Sequence, residues 1–473
     1  MDKQLDNWWN RPCGVREVLA IALPLVISTM SFSVMHFCDR MFLAWYDTGA
    51  MAAAAMAGAL NWTVFSFPMG IAGYANTFVA QYHGAGRPEQ IGAAVWQAAR
   101  IALFAAPLFI VAAIFSPQLF QFFGHETQLL WNEVLYFRTL AFASCAIVLG
   151  AAFSSFFIGR GQTRIVMAVD MLAAAMNVVL DIIWIFGFFG FPEMGIEGAA
   201  WATVVSQWFK VVAYLWLMYR GENPKRFRLY AGQRFNLQIL KRLLYYGGPN
   251  GLQFVIEGAA FTITLLLIGS LGETEAAASA VALSVNMVAF VPMVGVGIAI
   301  STLVGQQIGR GHPALAARAT WTGLGIALAY TTIFGAMYLL IPNALISPHA
   351  VRSENFDEVR ELAVVLLRFV AAFCLFDAVQ LIFVNAIKGA GDTMFVLGTT
   401  VFTSTAFVLV GVFGSGSEQW GIMQWWLLIT SWIFLLSVIY LGRFLQGNWR
   451  FKTVIEPNMV EAEKEVSVSE AVI

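Results

Sequence analysis

The chain has 473 residues, of which 59% are hydrophobic and only 12% charged, about half the charged share of an ordinary soluble domain. A mean hydropathy of +0.72, spread along nearly the whole length, excludes a soluble enzyme, a nucleic-acid binder and a receptor with a large extramembrane domain. The net charge of -1, from 27 basic and 28 acidic residues, offers no global field to an anionic partner, so any useful charge is local.

A bilayer core takes about 20 apolar residues per helix. Cut at Gly, Pro and charge, the chain gives twelve such runs, at approximately 18–44, 50–80, 91–116, 129–157, 165–188, 198–220, 243–271, 276–307, 315–342, 361–388, 394–414 and 420–446. The start up to Arg16 is polar and the first run exceeds signal length, so it reads as a span rather than a cleavable leader. Basic residues gather in alternate connections: Arg87, then Arg160 and Arg164, then Lys225, Arg226, Arg228, Arg234, Lys241 and Arg242, then Arg310 and Arg318, then Lys388. The opposite connections carry Asp47, Glu126, Glu193, Glu273, Glu275 and Glu418, with Arg352 and Arg360 as exceptions. By the positive-inside rule both termini face the cytoplasm. The tail beyond about Thr453, rich in Glu and Ser, reads as solvated and disordered. Cys13, Cys38, Cys145 and Cys374 have no metal-ligand spacing and read as buried thiols.

The chain repeats itself. Thr77, Val79, Gln81, Gly84, Gly86 and Pro88 recur as Thr302, Val304, Gln306, Gly309, Gly311 and Pro313, and Gly159, Gly161 and Thr163 recur as Gly389, Gly391 and Thr393, at offsets of about 225 to 230 residues. Both copies follow an even-numbered span, so the halves share one orientation, as in repeats related by an axis along the membrane normal. The expected organisation is an N-lobe at 1–232, including the basic linker, a C-lobe at 233–450 and a cytoplasmic tail at 451–473. Transporters bind substrate between such repeats and rock one against the other.

A charge at the bilayer centre costs roughly 2.5 to 3.5 kcal/mol on insertion scales and asks for a partner or a purpose. The candidates are Asp39 and Arg40 on the first span, Asp170 and Asp181 on the fifth, Lys210 on the sixth, Glu257 on the seventh and Asp377 on the tenth. Helical spacing puts Asp170, Asn177 and Asp181 on one face, Asn250, Gln253, Glu257 and Thr264 on another, and Asp377 with Gln380 on a third. Desolvated carboxylates suit reversible proton binding, and oxygen donors such as Asp39, Asn177, Asp181 and a nearby hydroxyl equally suit Na⁺. The competing reading pairs each acid with a base: Asp39 with its neighbour Arg40, and Lys210 either as a counter-ion or snorkelling. Neither Glu257 nor Asp377 has an evident basic residue on its own helical face, and Asp170, near the cytoplasmic end, reads as solvated. Trp62, Phe65, Phe67, Phe290 and Phe376 fit either packing or a broad lipophilic pocket. No phosphate-binding loop, Gly-x-Ser-x-Gly or His-Glu-x-x-His pattern occurs, so neither direct ATP drive nor a cofactor is expected.

At these residues the chain resembles the multidrug and toxic compound extrusion (MATE) family. Met194-Gly-Ile-Glu-Gly-Ala-Ala-Trp-Ala-Thr203 with Ser206-Gln207 is similar to the family signature at the sixth helix, and Gly84-Ala-Gly-Arg-Pro88 to the loop after the second. The resemblance runs from about Pro24 to the last span. It implies an all-α fold of twelve transmembrane helices in two parallel six-helix repeats around a V-shaped cavity, and cation-coupled export of drug-like compounds. Gly248-Pro249 followed by Glu257, and Asp377-Ala-Val-Gln380, resemble the cation-binding patterns of the NorM-like branch. Asp39, Asn177 and Asp181, with Thr203 nearby, resemble those of the DinF-like branch. Carrying both sets departs from either single-branch pattern.

The resulting expectation is a monomeric antiporter of the inner (plasma) membrane. It exports organic, often cationic amphiphiles for Na⁺ or H⁺ at Asp39, Asn177, Asp181, Thr203, Glu257 and Asp377, with Asn250, Gln253, Gln380 and Lys210 lining the substrate cavity. Its partners are small drug-like molecules and membrane lipids, and no nucleic acid. A lipid-linked-precursor flippase and, from another class, an intramembrane enzyme using acids such as Asp39 and Asp181 are the alternatives. The duplication argues against the enzyme, because catalysis in one lobe does not require a second.

Overall fold

The computed structural model describes residues 8–122, 127–347, 356–415 and 420–456. Twelve long helices follow one another: α1 (Val15–Tyr46), α2 (Thr48–Gly84, interrupted at Tyr74), α3 (Ile91–Phe122), α4 (Thr127–Ile158), α5 (Thr163–Phe186), α6 (Ile196–Met218), α7 (Leu237–Gly269), α8 (Glu273–Gly309), α9 (Pro313–Leu340), α10 (Phe356–Ala390), α11 (Thr393–Ser415) and α12 (Ile422–Gln446). Among the described residues eleven of these are long and apolar enough to cross a membrane. The other, α6, is 23 residues long but carries Glu197, Gln207 and Lys210. At 33 residues α7 is about 50 Å long, well beyond a hydrocarbon core of about 30 Å. It begins at Leu237 rather than near 243 because Asn236 caps it, accepting a hydrogen bond from the Ile239 amide at 3.1 Å.

The packing divides by side. On the side of the basic loops, one hydrophobic cluster runs through both halves, from Ile21, Phe78 and Val79 to Leu303, Ile387 and Tyr440. On the opposite, acidic side the clusters separate. Phe42, Phe120, Phe137 and Ile196 close the N-lobe, while Val285, Tyr338, Leu366 and Trp426, and beside them Phe407 with Trp425, close the C-lobe. The lobes thus share a core at the basic face and diverge towards the acidic face.

The repeat motif builds the shared face. Gln81 Nε2 donates to the Gly389 carbonyl at 3.1 Å, and Gln306 Nε2 donates to the Gly159 carbonyl at 2.8 Å, the same contact made twice with the lobes exchanged. Between them Asn76 Nδ2 donates to the Thr302 hydroxyl at 3.0 Å. Gly84 and Gly309 lie against the backbones of Gln306 and Gln81, and a Cβ at either would collide with a carbonyl. Small residues allow this backbone approach without a hydrophobic drive from lipid. Pro24 and Pro249, and Pro68 with Pro292, occupy matching places on α1, α7, α2 and α8, the helices that meet across the interface. Each removes a helical hydrogen bond and marks a point where the helix can bend.

Two segments are pinned at the basic face, the second against expectation. The linker is docked: its segment from Phe227 through the turn Leu229–Gly232 packs on the start of α3, and Gln97 Nε2 donates to the Arg234 carbonyl at 3.1 Å. The first residues after α12 are docked as well. Trp449, Val454 and Ile455 are buried, Thr453 and the Val454 amide both donate to Gln81 Oε1 at 2.8 Å, and Glu456 pairs with Arg87 at 2.5 Å and Arg242 at 2.8 Å. The sequence reads this stretch as solvent because of the Glu and Ser beyond it, whereas its own apolar pair finds a groove between the lobes. Residues 457–473, with the rest of that expectation, lie outside the described residues, as do Glu126, Arg352 and Glu418. All four cysteines are free thiols. Cys13 and Cys374 are buried, while Cys38 and Cys145 are only partly so.

Candidate functional site

In the N-lobe the structure brings Asp39 of α1 together with Asn177 and Asp181 of α5 and Thr203 of α6, all of them buried. Asn177 donates from its amide nitrogen to Asp39 Oδ1 at 2.9 Å and Asp181 Oδ2 at 3.2 Å, and its oxygen accepts from the Thr203 backbone amide at 3.2 Å. One amide nitrogen thus serves a carboxyl oxygen from each of two helices. Asp181 Oδ1 and the Thr203 hydroxyl are buried with no hydrogen-bond partner among the described residues. A proton, or a hard cation taking these oxygens, fits this donor set. Arg40 does not pair with Asp39. It is exposed, and the nearest basic group is His36, whose Nδ1 is 3.9 Å from Asp39 Oδ2 and whose side chain is 46% exposed. Adjacent helical positions point about 100° apart, so neighbours in sequence do not face one another.

Asp170 is also not simply solvated. Its Oδ1 meets Lys210 Nζ at 2.9 Å and the Tyr214 hydroxyl at 2.9 Å, and Oδ2 accepts from Ser28. Lys210 is therefore a counter-ion inside the N-lobe rather than a free cavity residue. The stripe of Asp170, Asn177 and Asp181 serves two separate polar clusters.

In the C-lobe Glu257 accepts from Gln253 Nε2 at 2.8 Å and from the Thr400 hydroxyl at 3.4 Å, and Thr400 in turn meets Tyr440 at 3.3 Å. Asp377 on α10 lines a small pocket with Phe290, Met293, Thr331 and Cys374. Gln380 is half-buried. Asn250 donates across the lobe interface to the Gly70 carbonyl at 2.8 Å.

Lys388 is the residue that sequence reading misplaced. Taken as a loop charge, it lies 8% exposed in the interior, with Nζ donating to Asn250 Oδ1 at 3.0 Å and Gln253 Oε1 at 3.1 Å. Its position next to Gly389 and Gly391 suggested a helix end, yet it stands about three turns from Asp377 on the same face, a spacing that would have revealed it. Glu257 thus does share a polar network with a cation, through Gln253. Thr400 and Tyr440 were legible only as ordinary α11 and α12 residues.

Against known proteins, the family model MatE matches residues 24–183 and 249–413. A probable multidrug resistance protein NorM from Xanthomonas campestris pv. campestris is 28% identical over 447 residues, covering 94% of this chain and 96% of that protein. Among solved structures, a MATE in complex with MaL6 superposes with a TM-score of 0.84 at 18% identity, covering 95% of this chain and 100% of the other. A multidrug resistance MATE family transporter in an outward-facing conformation gives 0.81 at 18% identity, with 96% and 100% covered.

Proposed function

The chain belongs to the MatE family, whose members are transporters and not enzymes, and from that premise we propose that it is a multidrug antiporter exporting organic, often cationic amphiphiles in exchange for Na⁺ or H⁺. In this reading the basic face is cytoplasmic, both termini lie there, and the protein sits in the inner membrane as a monomer of two lobes joined near residue 232. The observation that carries the reading is the placement of acids. Asp39 with Asp181 in one lobe, and Glu257 in the other, are held inside the helix bundle by amides and a hydroxyl rather than by Lys or Arg salt bridges, and Asp377 lines a small pocket in the same lobe as Glu257. Such groups gain and lose a cation at modest cost, whereas an ion-paired carboxylate such as Asp170 does not.

The coupling logic follows from the two-sided packing. Lobes that touch at the basic face and part at the acidic face form one of the two arrangements alternating access needs. A ligand shifts that balance only through a difference in affinity between the arrangements. Ion binding from the open side would supply that difference for one half-cycle, and substrate binding from the cytoplasm for the other.

The test is ethidium efflux from proteoliposomes with Na⁺ and pH gradients imposed separately. The expected result is efflux driven by at least one gradient and abolished when both collapse. Efflux indifferent to both would overturn the antiporter reading.

A further inference from the structure

We infer that Lys388 is a positioning residue that makes the ion affinity of Glu257 depend on contact between the lobes. The inference rests on the reading of Glu257 as a coupling-ion ligand. A buried ammonium is expensive in a membrane protein and normally finds a carboxylate or turns out to the interface. Lys388 does neither, although it lies two residues from the end of α10. Among the described residues its two side-chain hydrogen bonds go to amide oxygens of α7, and its Nζ lies 5.4 Å from the ring centre of Phe254.

Each amide then acts as a one-way connector, because it offers an acceptor at one end and donors at the other. Lys388 occupies Gln253 Oε1, so the Gln253 nitrogen is turned to Glu257. In that orientation the Glu257 carboxylate is served by a donor. Freed of the ammonium, the same amide could rotate and present its oxygen to a cation beside Glu257. The fixed positive charge opposes a second cation in the same direction, so both effects keep ion affinity low while the network is intact.

The other connector leads out of the lobe. Lys388 occupies Asn250 Oδ1, and Asn250 Nδ2 donates to the Gly70 carbonyl of α2. The backbone carbonyl of Lys388 itself accepts from the Tyr74 hydroxyl of α2 at 2.7 Å. Gly70 and Gly251 approach at this point with no room for a Cβ. One residue therefore touches the shell of the ion ligand and the lobe contact through an unbroken chain, Glu257 to Gln253 to Lys388 to Asn250 to Gly70. When the lobes part at the basic face, the Gly70 and Tyr74 bonds break together. Asn250 and Lys388 are released, and the orientation imposed on Gln253 goes with them.

The experiment uses the full-length protein in proteoliposomes and reads the half-saturating Na⁺ or H⁺ concentration for ethidium efflux separately from the maximal rate. Lys388→Gln should lower the half-saturating concentration on the order of tenfold, the scale on which a unit charge several ångströms away acts with partial screening. Lys388→Arg, which retains the charge, should stay closer to wild type. Gln253→Leu removes the connector and should shift the same quantity, and the Lys388→Gln, Gln253→Leu pair should be non-additive because both break one path. A half-saturating concentration within twofold of wild type in Lys388→Gln overturns the inference. If that variant does not elute as a monodisperse protein, an unshifted value in Gln253→Leu does the same. Glu257→Gln separates the two levels. Wild-type ion dependence in Glu257→Gln refutes the ion-ligand reading itself. Lost ion dependence there, with none of the Lys388 or Gln253 shifts, refutes the role of Lys388 alone.

Discussion

The paired glutamines at the basic face should contribute unequally to lobe closure, even though the repeat makes them equivalent in sequence. Gln306 makes one interlobe side-chain bond, to the Gly159 carbonyl at 2.8 Å. Gln81 makes its counterpart to Gly389 at 3.1 Å, and its Oε1 also receives Thr453 and the Val454 amide, each at 2.8 Å. A buried hydrogen bond contributes about 0.5 to 1.5 kcal/mol net, and a partner left unsatisfied costs about 1 to 3 kcal/mol. Gln306→Leu should therefore weaken closure by about 1 kcal/mol, and Gln81→Leu, which strands three partners, by roughly 2 to 3 kcal/mol. At a tenfold change per 1.4 kcal/mol, the open population rises about fivefold in the first case and about 30- to 150-fold in the second. Spin labels at the exposed Gln162, just before α5, and at the half-exposed Met394, in the first turn of α11 in the other lobe, report the lobe separation by double electron–electron resonance in nanodiscs. Equal changes in both variants, or none in Gln81→Leu, would refute the assignment of the C-terminal segment and Gln81 to the closed contact.

Three further outcomes follow from the same geometry. Glu257→Gln and Asp377→Asn should each abolish efflux while leaving expression and elution profile nearly unchanged, because a neutral isostere removes the charge with little change in volume; wild-type efflux in both would remove the C-lobe site from the mechanism. Asp39→Asn and Asp181→Asn, joined through Asn177, should be strongly non-additive in ion-dependent efflux, whereas additive losses would assign them to independent structural roles. Burial alone would raise the pKa of Glu456, but its backbone hydrogen bond, the Tyr82 hydroxyl, Arg87 and Arg242 outweigh that and hold it below the ordinary 4.5. A depressed carboxyl stabilises the docked state above the ordinary value and loses that contribution as pH falls through the lowered one. The protection factors for hydrogen exchange at Thr453 to Glu456, corrected for the intrinsic pH dependence of exchange, should accordingly stay high above the ordinary 4.5 and fall as the pH drops below it, and Glu456→Gln should be weakly protected throughout; a wild-type profile in that variant would sink the idea that this pairing holds the segment.

What the sequence could convey follows from which physical signals are one-dimensional. Span length, helical period and duplication are properties of a single strand of text, so the twelve helices, the like orientation of the halves and the shared face of Asn177 with Asp181 were all legible. Partnership across helices is not such a property. Arg40 follows Asp39 in sequence and points away from it, while Lys210, on the next helix, is the base that reaches Asp170. The positive-inside rule counts basic residues near helix ends and is blind to which way they turn. It therefore registered Lys388 as a loop charge and missed an ammonium tied to Gln253 and Asn250. The same blindness applied to the tail, where abundant Glu and Ser outweighed the pair Val454 and Ile455, although those two residues decide where the segment docks. In each case the residue that sequence averaging misjudged lies at or beside the seam between the lobes or inside the N-lobe, where a contact is made by residues far apart in the chain. The polar bonds across the seam come from many helices, one or two from each, and such bonds leave the weakest periodic trace.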